Sequence, residues 1–146
     1  MLTTKGDAST VTVATFALAF LTLGIWMVLD PAGFQAAVGS FGTINEHLIR
    51  DLATFNLALG AVLTVAAVRP TWRLPVVWFA NVQNALHLLN HVADADQAEP
   101  LWMGMANVWA LLAIGIVLAA LLAVVSRRPR PGSPAQPVGR RQGTGG

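Results

Sequence analysis

The sequence predicts an all-α protein, a bundle of four transmembrane helices with both termini on the cytoplasmic side. Of its 146 residues, 55% are hydrophobic and only 11% are charged, whereas soluble domains carry about 25% charged residues. Four stretches contain no charged side chain, and each approaches the roughly 20 residues that a helix needs to cross a bilayer. Most cations flank these stretches on one side, which sets the orientation.

The four spans are predicted at about residues 11–29, 47–68, 74–93 and 101–125. Proline ends helices and is accepted mainly in a first helical turn, and prolines mark three of the boundaries: Pro31, Pro70 and Pro100. Thr43 and Glu46 have the spacing of a capping box, which predicts that the second helix begins outside the hydrocarbon. Pro75 is expected in the first turn of the third span, where it is harmless.

These spans form one predicted membrane domain, residues 1–128, followed by a cytoplasmic tail, residues 129–146. The tail is rich in proline, glycine and arginine and has almost nothing apolar to bury, so it is predicted to be disordered. The first span could instead be a cleaved signal peptide, but its charge-free run exceeds the 7–15 residues typical of one. A short interfacial helix is expected between Phe34 and Phe41.

The distribution of charge predicts both orientation and surroundings. Cations precede the first span, fill the second connection and follow the fourth span, while six of the seven acids lie on the opposite side. By the positive-inside rule, both termini face the cytoplasm of a bacterium whose inner membrane holds the chain. The net charge is only +2 and the cations concentrate in the tail, so nucleic acid is not expected as a partner. The expected partners are the lipid bilayer and a membrane protein or a second copy.

Polar side chains are concentrated on one face of the third span. Placed at 100° per residue around His87, this face includes Asn84 and His91, and polar groups in a span normally face the interior of the bundle. Counting 1.5 Å per residue, His87, Asn56 and Asn107 reach a similar depth, about 10 Å below the outer edge. The sequence therefore predicts a polar pocket in the outer half, built from His47, Arg50, Asp51, Asn56, Asn84, His87, His91 and Asn107.

Several uses of the histidines remain open. His87 and His91, spaced i and i+4, project from one helical face and can hold a divalent metal ion together. His87 can also ligate haem, or donate a hydrogen bond to a quinone. The favoured interpretation involves no cofactor, because neutral imidazoles also form hydrogen bonds between helices. No catalytic residue is predicted, since no G-x-S-x-G occurs and the serines lie outside the pocket, so an enzyme is not favoured.

Two short segments, RDLATFNLALG at residues 50–60 and NALHLLNH at residues 84–91, carry a resemblance. With the four-span layout, they resemble the small, uncharacterised four-helix membrane proteins of actinobacteria, which are loosely similar to the DoxX-like families. The resemblance covers residues 11–125 and implies a link to respiratory or redox membrane assemblies. The leading hypothesis is a non-enzymatic accessory or scaffold subunit of a membrane assembly, and the resemblance favours a redox assembly. A small transporter is a further alternative, although no carboxylate lies deep in a span.

Overall fold

The computed structural model describes residues 8–38 and 41–127, and these residues form helices joined by short connections, which confirms the all-α class. The predicted tail lies outside the described residues. In chain order the elements are α1 (Ala8–Leu29), α2 (Pro31–Val38), α3 (Glu46–Val68), α4 (Pro70–Ala93), a 3₁₀ turn (Ala95–Gln97) and α5 (Leu101–Ser126).

The starts of α2 and α3 differ in detail from the prediction. Asn45, not Thr43, caps α3, because its side-chain oxygen accepts the Leu48 N–H at 3.1 Å. The short helix lies at 31–38, earlier than the predicted 34–41, because Asp30 caps it. The Asp30 carboxylate accepts the Gly33 N–H at 2.9 Å, and Pro31 occupies the first helical position.

Helix α4 begins at Pro70, four residues before the predicted start. The residue before a proline is disfavoured in the α region, and Arg69 is extended (φ −119°, ψ 98°), so one residue separates α3 from α4. Pro75 therefore lies inside the helix, which corrects its predicted position in the first turn. Its missing N–H leaves the Thr71 carbonyl without the usual helical donor. The earlier start also makes Arg73 part of α4.

The long helices pack mainly as two pairs, α1 with α3 and α4 with α5. The pairs meet at the end of the bundle where α1 begins and α5 ends. There a buried apolar cluster includes Val13 of α1, Leu63 of α3, Val77 of α4 and Leu121 of α5. This contact places the beginning of α1 and the end of α5 at the same end of the molecule.

Charge is divided between the two ends of the described bundle. At the end just mentioned, every charged residue of the described chain is an arginine, and we call it the arginine end: Arg69, Arg73 and Arg127. The opposite end, the acidic end, carries Asp30, Glu46, Asp51, Asp94, Asp96 and Glu99, with Arg50 the single cation among the described residues there.

Three helices, α1, α3 and α5, are long and apolar enough to cross a membrane by length and composition. Helix α4 has 24 residues, within the 22 to 26 residues of the other three. Its hydropathy is lower than that of the other three because it carries several polar side chains: Arg73, Asn81, Gln83, Asn84, His87, Asn90 and His91. Three of the four predicted spans thus coincide with helices that are able to cross a membrane, while the crossings themselves and their number stay predictions.

Candidate functional site

Arg73, at the arginine end, is the one charged residue that is buried among the described residues of the bundle. Its side chain is only 5% exposed and joins three helices. The guanidinium donates to the carbonyls of Ala66 and Ala67 at 3.1 and 3.0 Å, and to the hydroxyls of Ser9 and Thr10 at 3.2 and 2.8 Å. We call this arrangement the Arg73 clamp.

The clamp supplies hydrogen-bond donors to backbone carbonyls that lack a donor at the end of a helix. The last four carbonyls of a helix have no intrahelical donor, and two of these carbonyls in α3 receive a cation, which the helix dipole favours at a C-terminus. The charge pattern of the sequence places Arg73 only among the cations of the second connection. The usable signal was Pro70, which as a first helical residue places Arg73 one turn into α4.

Two asparagines fasten α4 to α5. Asn84, 5% exposed, donates to the Leu111 carbonyl at 3.2 Å, and Asn81 donates to the Leu118 carbonyl at 3.1 Å. Both residues lie on the face of α4 that α5 covers. Gly115 makes room for this contact, since a Cβ there would lie 2.9 Å from the Asn84 amide nitrogen.

The other two amides of the predicted pocket belong to different interfaces. Asn56 of α3 donates to the Leu52 carbonyl of its own helix at 3.0 Å and to the Met27 sulfur of α1 at 3.5 Å. Asn107 of α5 donates to the Val38 carbonyl, the last residue of α2, at 2.7 Å. Each predicted amide therefore connects a helix to another part of the bundle.

The charged residues at the start of α3 pair with one another. Arg50 donates to the Glu46 carboxylate at 2.9 Å, and His47 lies 3.4 Å from the Asp51 carboxylate. Both pairs follow the i, i+4 spacing of a helix face. The side chains of His47 and Asp51 are 87% and 63% exposed, so this group lies on the surface of the acidic end.

The two histidines of α4 are brought together. The rings of His87 and His91 stack with centroids 4.8 Å apart and an interplanar angle of 12°, and Phe41 meets His91 edge-on at 5.4 Å. The Nδ1 atom of His91 is buried and lacks a hydrogen-bond partner within the described residues. Stacking directs the ring faces toward each other, so the two rings do not point their nitrogens at one shared position.

The eight predicted site residues thus form separate local groups. Within the described residues, no hydrogen bond or ion pair joins the α3 group to the histidines of α4. The same part of the chain contains no group of three His, Cys, Asp or Glu residues placed to hold a metal ion. A single polar pocket and a cofactor site stay predictions.

Fold and polar contacts together define a class: a small helical protein with three helices able to span a membrane and with polar side chains that connect its helices. No protein-family model, no curated protein and no solved structure matches the chain.

Proposed function

We propose that the chain is a small integral protein of the bacterial cytoplasmic membrane that crosses it four times. Helix α4 leads from the end of α3 at the arginine end to the start of α5 at the other end. If α3 and α5 both cross, α4 has to cover the same thickness, and its 24 residues cover about 36 Å. A hydrocarbon core is about 30 Å thick.

The proposed orientation places the arginine end in the cytoplasm. Cytoplasmic connections carry an excess of lysine and arginine, and the described charges at this end are all cationic. Both termini then lie in the cytoplasm, since α1 begins and α5 ends there.

Within the membrane, we propose a non-enzymatic role as an accessory or scaffold subunit of a membrane assembly, and the DoxX-like resemblance favours a redox assembly. The observation that carries this proposal is the use of the buried polar side chains. Arg73, Asn81 and Asn84 donate to backbone carbonyls of neighbouring segments rather than to one another. Such contacts make a rigid helical framework, which is what a scaffold subunit requires.

Isolation of the full tagged chain from bacterial membranes in mild detergent tests this role. We expect a colourless, metal-free and quinone-free preparation that contains a membrane protein at a fixed ratio to the chain. The variant Asn84→Ala, which removes the buried donor to the Leu111 carbonyl of α5, should lower the amount of chain or of the recovered protein, and Asn90→Ala, an exposed change on the same helix, should not. A preparation that holds no second protein at a fixed ratio contradicts the scaffold role.

A second candidate function is ligand binding at His91. It is favoured by one observation, the buried Nδ1 atom that has no partner within the described residues. An imidazole nitrogen can ligate haem or a divalent metal, or form a hydrogen bond with a quinone. A visible chromophore, a stoichiometric metal or an extracted quinone that is lost in both His87→Ala and His91→Ala would support this function over the scaffold role.

A further inference from the structure

An apolar groove runs between α3 and α4 on the outside of the bundle. It has a volume of about 360 Å³, within the range of about 300–1,000 Å³ typical of small-molecule sites. Four residues from each helix line it, at positions i, i+3, i+4 and i+7, and they are Phe55, Ala58, Leu59, Val62, Trp72, Pro75, Val76 and Phe79.

The groove is elongated and has a defined floor and end. Leu59 and Val76 are buried and form the floor, while the short side chains of Ala58 and Pro75 leave the space above it open. The rings of Phe55 and Phe79 meet at 6.2 Å and close the end farther from the α3–α4 turn. The lining covers about 10 Å of each helix axis. A cavity this apolar does not hold water stably.

The other end of the groove lies at the arginine end. Trp72 lines the groove there, and its backbone N–H donates to the Arg69 carbonyl at 3.0 Å. Arg69 is exposed at the turn between the helices, and the described charges at this end are all positive. The surface therefore joins a cationic end to a narrow apolar channel, which complements an amphiphile with an anionic head and an extended apolar tail.

We infer that this groove binds one acyl chain of an anionic phospholipid, with the phosphate of its headgroup at Arg69. The inference rests on the proposed membrane location, because only there is the groove in contact with lipid. In the proposed orientation the headgroup lies in the cytoplasmic leaflet, where an arginine near the surface attracts anionic lipid, and Trp72 lies at the level that indoles prefer.

Native mass spectrometry of the full chain tests the site with an equal mixture of phosphatidylglycerol and phosphatidylcholine that carry the same acyl chains. We expect the chain to retain phosphatidylglycerol preferentially. Arg69→Gln should reduce this preference about fivefold, whereas Arg127→Gln, a matched change at the same end, should leave it nearly unchanged. Ala58→Trp fills the groove and should reduce the retention of both lipids, unlike Ala113→Trp on the exposed face of α5.

Equal retention of the two lipids by the unmodified chain overturns the inference, as does an Arg69→Gln variant that behaves like Arg127→Gln. A dimer that Ala58→Trp converts to a monomer would assign the groove to a second copy and also overturn it. Carbonate extraction of the membranes separates this failure from that of the proposed function. A chain that resists extraction but shows no lipid preference lacks only the lipid site, whereas a released chain contradicts both proposals.

Discussion

At the scale of single residues, Arg73 is the position whose role the structure changes most. The sequence shows only a cation beside a span, whereas the structure buries this arginine in the clamp. Arg73→Ala removes the four hydrogen bonds of the clamp that lie within the described residues, and it leaves two helix-end carbonyls buried without donors. Because hydrogen bonds from a charged group are worth about 1.5–3 kcal/mol, we expect the free energy of unfolding to fall by about 3 kcal/mol. Thermal unfolding in detergent, followed by circular dichroism, measures the change.

The neighbouring arginine provides the control for this prediction. Arg69 is exposed and separated from Arg73 by one turn, so Arg69→Ala should change the free energy of unfolding by less than about 0.5 kcal/mol. Equal melting temperatures for the two variants would show that the clamp does not stabilise the bundle.

Asn84 and Gly115 make a second prediction at the residue scale. A methyl group at position 115 would lie 2.9 Å from the Asn84 amide nitrogen, so Gly115→Ala should displace the amide from the Leu111 carbonyl. The loss should be about 1 kcal/mol, as for other hydrogen bonds between membrane helices. In an Asn84→Ala background the same glycine substitution should cost little, because the hydrogen bond is already gone. A double-mutant cycle on unfolding measures this coupling, and additive effects would contradict it.

At the scale of elements, α1 and α3 share a reciprocal packing motif that the sequence contains twice, as LTLG at residues 21–24 and LALG at residues 57–60. A Cβ at Gly24 would lie 2.7 Å from Leu57 Cγ, and a Cβ at Gly60 would lie 2.7 Å from Leu21 Cγ. The leucine of each helix thus packs directly against the glycine of the other, antiparallel helix. Small residues permit such close approach in membranes, where lipid provides no hydrophobic drive for helix association.

This motif predicts that Gly24→Ala and Gly60→Ala each destabilise the pair. The opposing leucine backbone nitrogens would lie only 3.1 and 2.9 Å from the new methyl groups, so side-chain movement alone cannot relieve the contact. Overpacking of this kind costs about 1–3 kcal/mol. Unfolding by denaturant in detergent measures it, with Ala61→Val on the exposed side of α3 as the control. If the two glycine variants keep their stability and only Ala61→Val loses it, α1 and α3 pack through other faces.

At the scale of the whole molecule, the number of crossings can be tested directly because the chain contains no cysteine. Single cysteines at Thr43 and Asp96 should react with a membrane-impermeant maleimide in intact spheroplasts. Cysteines at Thr71 and Ser126 should react only after lysis. All four positions are exposed in the structure. If position 96 is protected together with position 71, α4 does not cross the membrane and the four-span proposal fails.

The sequence predicts those parts of the fold that depend on local sequence signals and on the length of an apolar run. Three apolar spans and the helix boundaries near Val68 and Leu101 follow from such patterns, because the bilayer thickness sets the length of an apolar run. The sequence places the start of α4 too late, because a charge-free run cannot include Arg73, which lies in the first turn of the helix. The arginine is tolerated there because carbonyls and hydroxyls from two other helices surround it.

The sequence by itself determined that this chain is helical, that its apolar segments match a membrane, and that its charges divide between two ends, since composition and periodicity are properties of the chain alone. Only the tertiary structure decided which polar side chains meet. Periodicity fixes the face of a helix on which a residue lies, but it does not fix which neighbour covers that face. Asn84 and His91 lie on one face in the sequence, yet one fastens α5 and the other stacks on His87.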